Sequence, residues 1–121
     1  MFNTSINFQE KFAEITEYWD PKIVAELNGQ HVKIAKIKGA FIWHSHENED
    51  ELFYVVKGTL KIAFRDKIQT INEGEIIVVP KGVEHKPIAE EEVHIMMFEP
   101  IGTVNTGNIE NELTKKDLKV I

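Results

Sequence analysis

The sequence predicts an all-β protein with antiparallel strands and a short N-terminal helix. Runs of apolar or alternating residues arrive about every eight to twelve residues, with glycine, proline, asparagine or aspartate between them. This spacing is typical of a β-sandwich or a β-barrel. No long helical segment follows the N-terminal region, and parallel strands need long crossover connections. Neighbouring strands should therefore be antiparallel.

An amphipathic pattern predicts the helix over residues 7–19. Asn7 can cap its first turn, and Glu10 three residues later completes a capping box. Asp20 should end the helix because the residue before a proline avoids helical geometry. Four apolar side chains share one face at helical spacing, and they predict a helix that covers the core: Phe8, Phe12, Ile15 and Trp19.

Two strands joined by a tight turn should begin a barrel that occupies about residues 22–100. The segments 22–27 and 31–37 flank Asn28-Gly29, a dipeptide that strongly favours a type I′ hairpin turn. Residues 40–46 predict the next strand. Alternation gives that strand two faces, with Phe41 and Trp43 on one and with Ile42, His44 and His46 on the other.

The middle of the chain predicts four more strands. Segments 52–56 and 76–79 are apolar on both faces, as expected for strands buried between two layers. Segment 60–65 alternates and should be half exposed. Segment 68–71 predicts a short strand between two turns.

Two strands should close the barrel, over 84–89 and 93–98, with a polar link at 90–92. Residues 101–121 form a mostly polar tail. Its last apolar residues could pair as an edge strand or dock on a neighbour. A chain of 121 residues fits one domain, because compact domains most often contain about 100 to 150 residues.

Composition excludes several classes of function. The chain has 14 basic and 20 acidic residues, a formal net charge of −6, which disfavours nucleic acid and anionic membranes as partners. It has no cysteine, so disulfides and thiolate metal sites are excluded. No signal peptide or apolar run long enough for a membrane helix is visible. We therefore expect a soluble cytoplasmic protein.

Histidines and one glutamate suggest a metal site. In a strand, side chains two apart leave the same face, so His44 and His46 should point together. Neutral imidazoles are common ligands of transition metals. We hypothesise that these two residues bind one divalent metal with Glu51, which opens a buried strand, and with His85, which follows a turn. The alternative is that the histidines lie at the surface of a strand edge.

Other polar residues are weaker candidates. His94 could line the cavity as an acid–base group or a fifth ligand, although packing on an apolar face explains it as well. The remaining carboxylates between Glu47 and Asp50 read as a solvated loop. Lys33, Lys36 and Lys38 interrupt an apolar strand, and we expect them to be solvated rather than to bind an anion.

The spacing of these residues resembles the two signature motifs of the cupin superfamily. The first is His44-x-His46, four residues, Glu51, six residues, Gly58. The second is Gly74, five residues, Pro80-x-Gly82, two residues, His85. The chain departs from the family pattern at two positions: four residues instead of five separate Gly39 from His44, and Ala89 replaces the asparagine that ends the second motif.

The resemblance implies a double-stranded β-helix, also called a jelly-roll barrel, which is often dimeric. It implies that the matching positions His44, His46, Glu51 and His85 hold a metal, which could be iron, manganese, zinc, nickel, cobalt or copper. The leading hypothesis is a metal-dependent enzyme acting on a small polar molecule, of dioxygenase, isomerase, lyase or decarboxylase type. The alternative is a non-enzymatic module that binds or senses a small ligand or a metal.

Overall fold

Antiparallel strands build most of the protein in a computed structural model that describes residues 3–121. Together with one short helix, they confirm the predicted fold class. In chain order the elements are α1 (Phe8–Ala13), β1 (Lys22–Leu27), β2 (Gln30–Ala40), β3 (Glu51–Lys57), β4 (Leu60–Phe64), β5 (Ile68–Ile71), β6 (Ile76–Val79) and β7 (His85–Pro100).

Strand β7 organises the sheet. Five strands pair in the order β1-β2-β7-β3-β6, and β4 pairs with both β7 and β5. The first residues of β7 pair with β4, and the residues from Val93 onward lie between β2 and β3. The core between these two parts of the sheet contains buried side chains from both, such as Ala35 and Ile37 of β2 and Leu60 and Ile62 of β4.

The prediction of two strands separated by a polar link at residues 90–92 is wrong, because β7 is one continuous strand of 16 residues. Glu90, Glu91 and Glu92 are exposed, but their backbone stays extended. Ala89 and Val93 are both buried. They lie an even number of residues apart, so the same face of the strand points inward before and after the three glutamates.

The hairpin between β1 and β2 forms as predicted. Asn28 and Gly29 have φ angles of 48° and 77°, and a type I′ turn requires positive φ at both central residues. The end of the C-terminal tail pairs with the other side of β1, where Ile23 and Val120 form an isolated parallel bridge. Of the two fates predicted for the tail, pairing at the edge is the one observed.

Helix α1 is shorter than predicted and ends at Ala13 instead of residue 19. Phe12 and Ile15 pack with Ile34 on the outer side of β2, whereas Trp19 packs against the barrel core. One straight helix cannot reach both places. The chain therefore turns, and Trp19 adopts a φ of 59°.

Residues 41–46 do not form the predicted regular strand. Strand β2 ends at Ala40, and after it only His44 forms a bridge, with His85. Phe41 and Trp43 do not share a face: Phe41 is buried and stacks on Trp19, whereas the ring of Trp43 lies under the Arg65 guanidinium at 3.9 Å. Because residues 41–46 lack regular strand pairing, these two side chains can point in different directions.

Strands β3 and β6 are not buried on both faces as predicted. Alternate residues of β3 point outward and are only half buried. On β6, Ile76 is 60% exposed and Val78 is 52% exposed, because β6 lies at the edge of the sheet with nothing over its outer face among residues 3–121. Only one face of each strand contacts the core.

Candidate metal centre

Backbone pairing brings the three predicted histidines together. The amide of His44 donates to the carbonyl of His85 at 3.0 Å, and the reverse hydrogen bond is 2.9 Å long. The carbonyl of His46 accepts from the amide of Gly82 at 2.7 Å. The segment that contains both histidines is thus held against the start of β7. Glu51 reaches the three histidines from a different strand, because it is the first residue of β3.

The four predicted residues form one buried cluster. Each offers a ligand atom, and these atoms all lie within 4.8 Å of one another. The side chains of His44, His46 and Glu51 are each 3% exposed, and His85 is fully buried. The Nε2 atoms of His46 and His85 lie 3.4 and 3.6 Å from Oε1 of Glu51. This arrangement could hold one metal ion.

Two of the rings are oriented by the backbone. Nδ1 of His44 lies 2.8 Å from the carbonyl oxygen of Ile42, and Nδ1 of His85 lies 2.9 Å from that of Val83. A carbonyl can only accept, so Nδ1 carries the proton and Nε2 keeps a free electron pair. Metal-bound histidines characteristically donate their other N–H in this way.

Several buried atoms in the cluster have no hydrogen-bond partner among residues 3–121. They are both ring nitrogens of His46, Oε1 of Glu51 and Nε2 of His85. Buried polar atoms are almost always paired, so this group needs a physical explanation. Three imidazoles and a carboxylate are a donor set that suits a divalent transition metal. The residues therefore fit such an ion.

His44 is neutral at physiological pH. The pKa of His44 is lowered from 6.5 to about 4, mainly by burial and also by the nearby His85, against the opposing effect of the hydrogen bond to the Ile42 carbonyl. A neutral imidazole is the form that binds a metal. The low pKa thus keeps the residue ready for ligation across the physiological range.

A buried ion pair, which the sequence did not suggest, lies beside the cluster. Nζ of Lys33 contacts Oε1 of Glu99 at 2.6 Å and donates to the carbonyl of Thr103 at 3.2 Å. Lys33 is 3% exposed and Glu99 is 2% exposed. The expectation that Lys33 is solvated is wrong, because its position on β2 faces the interior with Ala35.

Glu51 and Glu99 are close enough to share a hydrogen bond. Burial opposes ionisation of Glu51, but the neighbouring Glu99 carboxyl and the close imidazoles of His46 and His85 hold its pKa well below the usual value. Burial and the neighbouring Glu51 carboxylate raise the pKa of Glu99 well above the usual value, against the opposing Lys33 ammonium. The two carboxyl groups therefore hold one proton and one negative charge between them, and the Lys33 ammonium pairs with that charge.

A narrow cavity of about 40 Å³ reaches the cluster. Polar groups lie on one side of it, from Lys33, His44, Glu51 and Glu99. The remaining walls are mostly apolar, and Leu118 of the tail closes part of it. A cavity of this size has room for a few water molecules.

His94 does not line this cavity. It belongs to the outward-facing residues of β7, and its ring stacks on Phe12 of the helix with 4.5 Å between centroids. Its Nε2 lies 2.7 Å from Oε2 of Glu92. The interpretation as an acid–base group or fifth ligand is therefore contradicted, and packing explains the residue. The opposite face of the strand carries Glu99.

None of the helices in residues 3–121 is long and apolar enough to cross a membrane.

Known proteins with similar sequences and folds share this architecture. A family model described as "Cupin domain" matches residues 30–99. A cupin-2 domain containing protein from Shewanella frigidimarina is 50% identical, with a TM-score of 0.78 over 78% of this chain and 93% of that chain. Protein NMB1881 from Neisseria meningitidis is 35% identical, with a TM-score of 0.74 over 80% of this chain and 99% of that chain.

A curated relative is also similar. Uncharacterized protein YdbB from Bacillus subtilis is 36% identical over 64 residues, which cover 52% of this chain and 57% of that protein. The chain spans about half the length of the curated relatives it matches. The family model covers more than half of the chain, and the solved structures agree with it in sequence and fold. The protein belongs to the cupin family.

Proposed function

We propose that this protein binds one divalent transition metal through His44, His46, Glu51 and His85 and acts as a metal-dependent enzyme on a small polar molecule. The observation that supports this proposal is the convergence of four buried ligand atoms within 4.8 Å, several of which have no other partner among the described residues. A cluster of such atoms without a cation would leave costly unpaired groups in the core.

The donor set is compatible with catalysis. One carboxylate reduces the charge of a divalent ion from +2 to +1, and four protein ligands on an octahedral ion leave two positions for other molecules. A bound metal would supply Lewis-acid chemistry or activation of dioxygen. Dioxygenase, isomerase, lyase and decarboxylase reactions all use such sites.

The surrounding residues would have separate roles. Glu51 and Glu99 hold one proton between them, and Lys33 compensates their negative charge in the interior. The apolar walls of the cavity, such as Phe53 and Ile95, would exclude bulk water from a bound molecule.

The second candidate is a non-enzymatic module that binds or senses a metal or a small ligand. The cavity of about 40 Å³ favours a module that binds only a metal, because little more than a few waters would fit there without movement of the walls. Incubation of metal-loaded protein with a panel of small metabolites separates the two functions. Conversion of any compound supports an enzyme, whereas tight binding without a product supports a sensor.

Metal analysis of protein purified without an affinity tag or chelator tests the ligand set. We expect near-stoichiometric metal in the wild type and almost none in the double variant His44→Ala/His46→Ala. His94→Ala is the matched control, because this histidine lies on the outward face of β7 and should retain the metal. Equal metal content in the wild type and the double variant would contradict the proposal.

We also propose that the protein forms a homodimer through the outer face of the sheet. Cross-strand neighbours make an apolar strip there, with Val78, Leu52 and Phe98 in one row and Ile76 and Tyr54 in the next. The side chains of the strip are apolar like those of a buried layer, but Ile76 and Val78 are exposed and the other three are partly exposed. A second copy would complete its burial.

Sedimentation equilibrium would measure this association. We expect a dimer for the wild type and a monomer for Val78→Asp, because a carboxylate within the strip would be buried in the dimer without a partner. Glu75→Asp, a change at an exposed position just before β6, is the control. A monomeric wild type would rule the dimer out.

A further inference from the structure

We propose that part of the C-terminal tail positions His44 and His46 of the metal centre. This part, residues 104–108, is called the clasp segment here. The inference rests on the metal binding proposed above. It concerns residues beyond 99, where the match to the cupin domain model ends.

The clasp segment holds the residue that lies between the two histidines. The amide of Ser45 donates to Oδ1 of Asn108 at 2.9 Å, and the amide of Asn108 donates to the carbonyl of Ser45 at 2.9 Å. Both backbone groups of Ser45 are thus bound to one residue of the tail. On the other side, the amide and the carbonyl of His44 bind His85, and the carbonyl of His46 accepts from the amide of Gly82.

This two-sided support matters because residues 41–46 do not belong to a regular strand. A strand would direct the His44 and His46 side chains through its pleat and its continuous ladder of hydrogen bonds. Here one bridge to His85 and one hydrogen bond from Gly82 hold one side. Asn108 supplies the hydrogen bonds that a second neighbouring strand would otherwise provide. It therefore limits rotation of the backbone that carries both rings.

Close packing at Gly107 supports the same conclusion. A Cβ atom at this position would collide with the carbonyl oxygen of Ser45 and would lie 3.2 Å from Cδ2 of His44. Gly107 also has a φ of 57°, which favours glycine. The tail backbone thus lies so close to Ser45 and the His44 ring that only a residue without a side chain fits at this position.

The clasp segment is itself well supported. Thr106 is fully buried, and its hydroxyl donates to the carbonyl of Ile109 at 2.6 Å and lies 2.7 Å from Oγ1 of Thr114. The side chain of Asn105 bonds to the backbone of Leu113 and Lys115 at 2.9 and 2.8 Å. These contacts fix the conformation of the tail. Asn108 can therefore hold the backbone of Ser45 in one position.

Cobalt(II) binding tests the inference, with the affinity measured by titration and the ligand geometry by visible absorption. For Asn108→Ala, which removes one acceptor but no metal ligand, we expect an affinity about 10-fold weaker and an altered spectrum. Asn108→Asp keeps an oxygen acceptor and should restore the wild-type spectrum. Gly107→Ala should alter the spectrum as well, because its methyl group would displace Ser45 or His44.

Asn48→Ala is the matched control. This asparagine lies two residues after His46, is exposed and makes no side-chain hydrogen bond within residues 3–121. An Asn108→Ala protein with wild-type affinity and spectrum, or with a loss equal to that of Asn48→Ala, would overturn the clasp but leave metal binding intact. A wild-type protein that binds no cobalt, like His44→Ala, would overturn both proposals.

Discussion

Replacing Lys33 with methionine is expected to lower the free energy of unfolding by about 3–5 kcal/mol, the usual cost of breaking a buried ion pair. Lys33 and Glu99 contact each other at 2.6 Å, and both are almost fully buried. Without the ammonium group, the two carboxyl groups of Glu51 and Glu99 would lose the only cation that the described residues place beside them. Equilibrium denaturation in urea would measure the loss.

Two further variants make this prediction specific. Lys38→Met changes an exposed lysine on the same strand and should alter stability by less than about 0.5 kcal/mol. The double variant Lys33→Met/Glu99→Leu replaces both members of the contact by apolar side chains and should regain part of the lost stability, because the carboxylate of Glu51 stays buried beside them. If Lys33→Met were no less stable than Lys38→Met, the ion pair would not contribute to the fold.

Acidification of the metal-free protein is expected to reduce its stability by about 3 kcal/mol through His44 alone. The unfolded chain binds a proton at this residue below pH 6.5, whereas the folded protein does so only below about pH 4. Between these values the unfolded state binds more protons, so stability falls as the pH falls. Below pH 4 this contribution is fully lost.

The measurement compares denaturation curves of the wild type and His44→Gln at several pH values, with a chelator present. Glutamine does not titrate, so the difference in stability between the two proteins should shift between pH 6.5 and pH 4. Other titrating groups, including Glu51 and Glu99, remain in both proteins and largely cancel. A difference that stays constant over this range would show that His44 titrates normally in the folded state.

Local patterns in the sequence predicted the elements that depend on local chemistry. The Asn28-Gly29 turn and the short strand at residues 68–71 lie where their composition placed them. The sequence also allowed the four candidate ligands to be grouped, because two spaced motifs contain them: His44, His46, Glu51 and His85.

Features that depend on distant contacts were missed. The helix ends at Ala13, whereas Trp19 packs against the barrel core instead of extending the helical face. No local sequence signal indicates that Trp19 leaves the helix. The Lys33–Glu99 pair joins residues 66 positions apart in the sequence. A signal for it did exist: Glu99 continues the inward alternation of Val93, Ile95 and Met97, so a charged residue on that face required a buried partner.

Strand β7 has a consequence for the order of events during biosynthesis. It pairs with β2, β3 and β4, all of which are translated before it, and it contributes His85 near its start and Glu99 near its end. The earlier strands emerge from the ribosome with their central neighbour missing, and their apolar edges stay open until it arrives. The four proposed metal ligands can therefore come together only late, after His85 has been translated and β7 has paired with the earlier strands.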